Sequence, residues 1–188
     1  IEPNNDYFLE LDFNAAELRT LLALSGKEQP AGDLHDWNAQ HVYRGSVTRE
    51  EAKKRIFAWL YNPESKDALS SCAYDREGVV KSHHDGNQVN TLFGRTIPSD
   101  DYHALNYIVQ STASDLLLKR AVEIDKILRE KRSYIAFTLH DSLVIDFAEE
   151  DKSLFKQIVE TFKETDLGKF VVNISVGKNF GSMEKLKV

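Results

Sequence analysis

Two aspartates at the ends of predicted strands are the side chains of this protein best suited to chemistry. Asp141 lies at the tip of a predicted β-hairpin, between the alternating apolar runs 134–139 and 143–147. Asp12 ends an earlier alternating run, 7–13, which predicts a half-buried strand. Asp is also a common turn residue, because its carboxylate bonds nearby backbone amides. Taken alone, Asp141 could therefore be either a structural turn residue or a functional carboxylate.

The second aspartate favours the functional interpretation. If the strand 7–13 packs beside the hairpin, Asp12 and Asp141 lie on neighbouring strands and form an oxygen-rich site. Such a donor set suits Mg²⁺, whereas Zn²⁺ prefers His or Cys ligands. Two metal ions there would suit phosphoryl transfer, because one activates an attacking hydroxyl and the other stabilises the leaving oxygen.

A predicted helix between the two aspartates carries cations and aromatic rings. Thr48 and Glu51 form a capping box that opens the helix, and Asn62-Pro63 ends it after Tyr61. Within it, residues at every fourth position share one face: Arg49, Lys53, Phe57 and Tyr61. This stripe is open to two interpretations. It is either the solvated basic edge of an amphipathic helix, or a surface whose cations bind phosphates while its rings contact a sugar and a base.

The other helices are predicted from capping residues and apolar spacing. Asn14 is expected to cap the first helix, and Asp33 a short helix that carries His35. Residues 66–86 are predicted to be helical, with an interruption at Gly78.

The longest helix is predicted over about 100–131, with Ser99 as its cap. Asn106 and Gln110 lie four residues apart on one face of it. A further helix and the strand 170–176 follow the hairpin. Segregated strands and helices of this kind predict an α+β fold, in which an antiparallel sheet is backed by long helices and a helical segment is inserted after the first strand.

The composition limits the class of protein. The 188 residues suit one domain, or one domain with an inserted lobe. No apolar run approaches the length needed to span a membrane, and a single cysteine, Cys72, excludes an intrachain disulfide and fits a reducing compartment. A net charge of −6 means that any nucleic-acid role must use locally placed cations. The start at Ile1, without an initiator Met, indicates a piece of a longer chain.

Several motifs resemble, in the right order, those of family A (DNA polymerase I-like) DNA polymerases. Asp12-Phe-Asn-Ala-Ala-Glu17-Leu18-Arg19 resembles the first palm motif of that family, Asp-Tyr-Ser-Gln-Ile-Glu-Leu-Arg. The stripe on the cationic helix resembles the family's fingers helix. The later blocks are Thr91-Leu92-x-Gly94-Arg95, Asn106-x3-Gln110-x-Thr112-Ala113-x-Asp115 and Leu139-His140-Asp141.

The resemblance implies a role for each of these residues. Asp12 and Asp141 would be catalytic and hold two Mg²⁺ ions, and Glu17 would fill the space that a ribose 2′-hydroxyl needs. The residues implied to bind the incoming dNTP are Arg49, Lys53, Phe57, Tyr61, Glu17 and His35. Those implied to contact primer or template are Asn106, Gln110, His140 and Arg95.

The resemblance also implies an organisation and a set of partners. Residues 1–188 would be the catalytic region, with the palm at about 1–26 and 98–188 and the fingers at about 27–97. The thumb and the exonuclease-like domain would be absent, so the partners would be primer–template DNA, dNTP and the missing N-terminal polymerase portion. No membrane is involved. The expected location is the cytoplasm of a bacterial or phage-infected cell, with an organelle as the alternative.

Two alternatives stand beside DNA synthesis. One is a truncated or decayed polymerase-like module that binds nucleotide or DNA without extending it. The other is a relative of single-subunit phage-type RNA polymerases, which also carry His-Asp-Ser at the hairpin. Those enzymes have a small residue in the place of Glu17 and lack the aromatic ring of Phe57, which favours DNA. The chain departs from the family pattern at Ser142, Asn62 and Tyr102, where Glu, Gly and a basic residue are usual.

Overall fold

The computed structural model describes residues 1–186 and divides into two compact units. The sheet unit consists of Ile1–Asn14 and the chain from Ser114 onward, and the helical unit is Ala15–Ala113. Among the described residues, no helix is both long enough and apolar enough to cross a membrane.

Helices and strands are distributed along the chain as follows. The α-helices are α1 (Ala16–Leu24), α2 (Leu34–Trp37), α3 (Arg49–Tyr61), α4 (Ala68–Ala73), α5 (Arg76–His83), α6 (Ala104–Leu128) and α7 (Phe155–Lys163). The strands are β1 (Tyr7–Phe13), β2 (Gln88–Asn90), β3 (Thr96–Pro98), β4 (Tyr134–Leu139), β5 (Ser142–Phe147), β6 (Glu164–Thr165), β7 (Gly168–Lys169), β8 (Val172–Gly177) and β9 (Glu184–Lys185). A π-helical turn over Asn38–Val42 follows α2 directly.

The sheet unit is built on an antiparallel sheet of five strands in the order β4-β5-β1-β8-β9. The first strand of the chain therefore lies at the centre of this sheet, between the hairpin β4–β5 and β8. Phe13 stacks on Phe162 of α7, with ring centroids 4.3 Å apart, and both side chains are buried. Phe8 is buried as well, with its edge against Phe137 and Phe180. On the face of β1 that carries Phe8, Glu10 and Asp12 are only half-buried, in keeping with the predicted half-buried strand.

The helical unit packs its apolar stripes around one core. Its largest buried side chain is Trp59 of α3, whose indole nitrogen donates to Ser71 Oγ over 3.0 Å. Leu21, Ile56 and Ile108 belong to the same buried cluster. The capping box of Thr48 and Glu51 and the cap of Asp33 on α2 are present as predicted. The mixed α+β class with an antiparallel sheet is confirmed.

The predicted cap of α1 is wrong. Asn14 lies one residue before the N-cap, and its backbone N–H continues the sheet by donating to Val171 O over 2.9 Å. Ala15 takes the N-cap position instead, in the left-handed region at φ 53°, with no side-chain cap.

Two other helix boundaries differ from the prediction. Ser99 does not open α6, since Asp100 Oδ1 accepts the amide hydrogen bond of His103 over 2.9 Å and the helix begins at Ala104. The break in 66–86 falls after α4 rather than at Gly78, which lies inside α5. A Cβ on that glycine would come 2.2 Å from the Asp75 carboxylate that caps α5, so this carboxylate would have to shift to admit another residue there.

Candidate active site

The pairing of β1 with β5 brings the two predicted catalytic residues together in the sheet unit. Asp12 lies opposite Ser142 in the antiparallel register, and Ser142 directly follows Asp141. The amide of Phe13 donates to the carbonyl oxygen of Asp141 over 3.3 Å. This register therefore agrees with the prediction that Asp12 and Asp141 lie on neighbouring strands.

The turn that presents Asp141 has an uncommon backbone. His140 lies in the left-handed region at φ 53°, which few non-glycine residues adopt. The Ser142 hydroxyl donates to the carbonyl oxygen of Leu139 over 3.0 Å and bridges the base of the turn. Ser142, one of the departures from the family pattern, is buried and has a structural role here. His140 itself is exposed.

Asn173 is a member of this site that the sequence analysis did not identify. It lies opposite Asp12 on β8, and its Nδ2 donates to Asp12 Oδ2 over 3.0 Å. Asn173 and Ser175 alternate with the apolar residues of β8, and this alternation is the signal that could have identified a polar face on the strand. The amide orients one carboxylate oxygen of Asp12.

The donor set fits Mg²⁺ better than a transition metal. Within residues 1–186, no group of three or more His, Cys, Asp or Glu side chains could hold a metal ion. Mg²⁺ is commonly bound through one or two carboxylates, with waters and substrate phosphates completing its coordination. Asp12 and Asp141 match that pattern, and their metal role stays a prediction.

In the helical unit, the first residue of the predicted stripe is already engaged by a carboxylate. Arg49 Nη2 lies 2.8 Å from Asp33 Oδ2, and its Nε lies 3.1 Å from Asp33 Oδ1. Its Nη1 lies 2.5 Å from Glu50 Oε1. Hydrogen bonding to Asp33 raises the pKa of Arg49, so its guanidinium remains charged.

His35 lies buried next to this ion pair. Its ring centroid is 5.8 Å from that of Phe57, and its Nδ1 has no hydrogen-bond partner among the described residues. Burial lowers the pKa of His35 to about 4, so the imidazole is neutral at pH 7. A neutral imidazole can donate or accept one hydrogen bond at that nitrogen, depending on its tautomer.

The end of α3 assembles residues that the sequence places far apart. Phe57 and Tyr61 are stacked, with centroids 5.8 Å apart and an interplanar angle of 14°. The Tyr61 hydroxyl donates to the carboxylate of Glu17 and also bonds the side chain of Gln110. Burial, reinforced by Glu17, raises the pKa of Tyr61. Three predicted site residues thus share one hydrogen-bond network.

The remaining predicted residues have different surroundings. Lys53 is exposed on the outer face of α3, and Asn106 is half-buried one turn before Gln110. Arg95 Nη2 donates to the carbonyl oxygen of Ser111 over 3.0 Å, which ties the segment between β2 and β3 to α6. This contact gives Arg95 a structural role, and its contact with primer or template stays a prediction.

Arg19, the last residue of the first motif, holds the loop before α2. It is fully buried, and its guanidinium donates to Pro30 O over 2.9 Å and to Gly32 O over 2.6 Å. The loop position of Asp33 is fixed in this way. Nothing in the local sequence of Arg19 indicates a buried cation.

Comparisons with known proteins find similarity to DNA polymerases. No family model matches it. It is 24% identical to DNA polymerase I of Chloroflexus aurantiacus, covering 95% of this chain and 24% of that protein. The DNA polymerases of Mycobacterium phages D29 and L5 are 22% and 26% identical, over 92% and 74% of this chain and 34% and 28% of theirs. The chain thus spans between about a quarter and a third of these relatives.

A solved structure supports the same relationship at the level of the fold. The polymerase domain of Pol1 from M. smegmatis, determined in complex with a DNA primer–template and dNTP, superimposes with a TM-score of 0.71 at 19% identity. The match covers 95% of this chain and 41% of that domain. Sequence similarity along nearly the whole chain and a shared fold lead to one conclusion: the chain is a distant relative of part of the polymerase domain of family A, DNA polymerase I-like, DNA polymerases.

Proposed function

We propose that this chain carries the catalytic palm and fingers of a template-directed DNA polymerase. The observation that supports this most directly is the β1–β5 register, which brings Asp12 and Asp141 together at the end of the central strands. In the reaction, the primer 3′-oxygen forms a bond to the α-phosphorus of a dNTP. The bond to the β-phosphate oxygen breaks, pyrophosphate leaves, and the hydroxyl proton passes to solvent.

Asp12 and Asp141 would hold two Mg²⁺ ions in this reaction. When bound, the ions supply activation of the 3′-hydroxyl and neutralisation of the charge that develops on the phosphates. Asn173 donates to one oxygen of Asp12 and so fixes the direction of the other. The backbone bond between Phe13 and Asp141 limits the relative movement of the two residues.

The helical unit would bind the incoming nucleotide. Arg49 and Lys53 would supply positive charge to the triphosphate, and His35 Nδ1 a hydrogen bond. Phe57 would pack on the deoxyribose. The Tyr61 hydroxyl donates to the carboxylate of Glu17 and so orients it. This carboxylate would fill the space that a 2′-hydroxyl needs, and sugar selection would rest on the pair.

The DNA itself would be contacted by Asn106, Gln110, His140 and Arg95. A further polymerase portion, N-terminal to this palm, would hold the primer–template. The related proteins of a bacterium and of phages support a bacterial or phage-infected cell as the setting. A module that binds nucleotide without extending it is the second candidate, because the chain spans only part of its relatives.

Primer extension tests this proposal. We expect Mg²⁺-dependent incorporation of dNTP when the N-terminal portion is supplied, and a loss of at least about 10³-fold in Asp12→Asn and Asp141→Asn. Asp125→Asn, which alters an exposed carboxylate on α6, is the matched control. Full extension by either of the first two variants would refute the metal assignment. Binding of dNTP without any extension by the wild type would favour the second candidate.

The proposed binding of the triphosphate by α3 can be tested by substituting two neighbouring lysines. Lys53 and Lys54 are both exposed, but only Lys53 lies on the stripe. We expect Lys53→Ala to raise the KM for dNTP, because a charge-assisted phosphate contact is lost. Lys54→Ala should not change it. Equal KM values in both variants would mean that the stripe does not face the triphosphate.

A further inference from the structure

Asp33 connects two elements of the proposed nucleotide site through one side chain. As the N-cap of α2, its Oδ1 accepts from the amides of His35 over 3.0 Å and Asp36 over 2.9 Å. A capping carboxylate of this kind fixes the start of a helix. The imidazole of His35 is therefore positioned through its own backbone.

The same carboxylate holds the start of α3. Asp33 Oδ1 accepts a hydrogen bond from Arg49 Nε over 3.1 Å, and Oδ2 accepts one from Nη2 over 2.8 Å. This is the bidentate geometry of a strong guanidinium–carboxylate pair. The backbone that leads into Asp33 is held in place, because Arg19 donates hydrogen bonds to the carbonyl oxygens of Pro30 and Gly32 just before it. One side chain thus sets the position of two groups that lie 14 residues apart in sequence.

Another carboxylate that binds Arg49, that of Glu50, is more exposed to solvent. The Glu50 side chain is 68% exposed, against 26% for Asp33, and it contacts only Nη1. Exposed ion pairs contribute little to stability, because water and salt compete with them. A phosphate that approaches Arg49 from solvent would displace Glu50 and leave the bonds to Asp33 intact.

We propose that Asp33 is a positioning residue, which holds Arg49 and His35 together in the geometry that binds the triphosphate of the nucleotide. The inference rests on the proposed function. In this arrangement Arg49 keeps Nε and one side of Nη2 on Asp33 and presents Nη1 to the phosphates. Asp33 itself does not touch the nucleotide.

Substitutions at Asp33 separate this role from helix capping. Asn is as good an N-cap as Asp but cannot form the charged pair with Arg49, whereas Ala can do neither. If Asp33 acted only as a cap, Asp33→Asn would behave like the wild type. If it competed with phosphate for Arg49, Asp33→Asn would bind phosphate more tightly. Positioning predicts the opposite change, about tenfold weaker binding.

The experiment measures binding of inorganic tripolyphosphate to the full chain by calorimetry, without primer or metal. We expect Asp33→Asn to bind about tenfold more weakly, Asp33→Ala more weakly still, and Glu50→Gln as tightly as the wild type or more so. Circular dichroism checks that each variant keeps its helices. Wild-type affinity or better in Asp33→Asn overturns the inference, and so does a wild type that binds no tripolyphosphate.

The outcome is independent of polymerisation. A wild type that binds tripolyphosphate, loses that affinity in Asp33→Asn, and yet extends no primer when the N-terminal portion is supplied would refute the proposed function and leave the positioning role standing. Primer extension without any change in KM for dNTP in Asp33→Asn would refute the positioning role alone. In the expected result, KM rises in Asp33→Asn while kcat changes little.

Discussion

The buried imidazole of His35 gives the helical unit a specific dependence on pH. The residue is 4% exposed, and burial lowers its pKa to about 4, while the ordinary value is 6.5. The carboxylate of Asp33 opposes this shift, and the charges of Arg49 and Lys53 add to it. At pH 7 the imidazole is neutral in the folded chain and mostly neutral in the unfolded chain, so His35 changes the free energy of unfolding very little there.

The sign and the size of the effect follow from these two values. Between pH 6.5 and 4, the unfolded chain binds a proton at His35 that the folded chain does not. The free energy of unfolding therefore falls as the pH drops through this range. Each pH unit changes it by about 1.4 kcal/mol, so the contribution of His35 lost by pH 4 is about 3 kcal/mol.

The assay compares the wild type with His35→Gln, which cannot titrate. Urea unfolding is followed by tryptophan fluorescence at several pH values between 7 and 4, because both tryptophans, Trp37 and Trp59, lie in the helical unit. The packing cost of the substitution is the same at every pH. The wild type should therefore lose about 3 kcal/mol more than the variant on going from pH 7 to 4.

Two results would refute this reasoning. One is a difference in unfolding free energy between wild type and His35→Gln that stays constant from pH 7 to 4. The other is an NMR titration in which the folded His35 ring protonates near pH 6.5. Either would mean that water or a hydrogen-bond partner reaches the ring in solution, since solvation of the charged form removes the cause of the shift.

Two further substitutions test the contacts of α3. Glu17→Ala removes the acceptor of the Tyr61 hydroxyl. In the proposed function it would also open the space at the sugar, so we expect primer extension with ribonucleotides to rise at least about tenfold relative to dNTP. Unchanged sugar selectivity would exclude Glu17 as the gate. Thr48→Ala breaks the capping box of α3 and should lower the free energy of unfolding by about 1 kcal/mol in the same urea assay, with Thr48→Ser as the variant that retains the cap.

Local sequence patterns predicted the elements that depend on local physics. The capping box of Thr48 and the cap of Asp33 use side chains that bond amides two or three residues away, so the pattern suffices. Asn14 has the same capping chemistry and the prediction fails there. Its backbone N–H instead donates to the carbonyl oxygen of Val171, 157 residues further along the chain. The residues around Asn14 carry no sequence signal for a strand pairing at that distance.

In the candidate site, too, contacts between residues far apart in sequence could not be predicted. The positions of Asp12 and Asp141 at strand ends could be predicted, and the register of β1 with β5 brings them together. Asn173 could not be assigned to Asp12, because the contact depends on the register of β8. The pairing of Arg49 with Asp33 could not be predicted either. Local sequence already accounts for each residue separately, Arg49 as a member of the stripe on α3 and Asp33 as the cap of α2.

The distribution of the arginines explains how an acidic chain could bind a triphosphate. Arg19, Arg76 and Arg95 direct their guanidinium groups to backbone carbonyl oxygens, and Arg55 pairs with Asp67. These cations hold loops and helix ends in place. On the stripe of α3, Lys53 and the outer edge of Arg49 are the cations left for the phosphate binding proposed above, so the orientation of Arg49 on Asp33 would matter more to it than the net charge of the chain.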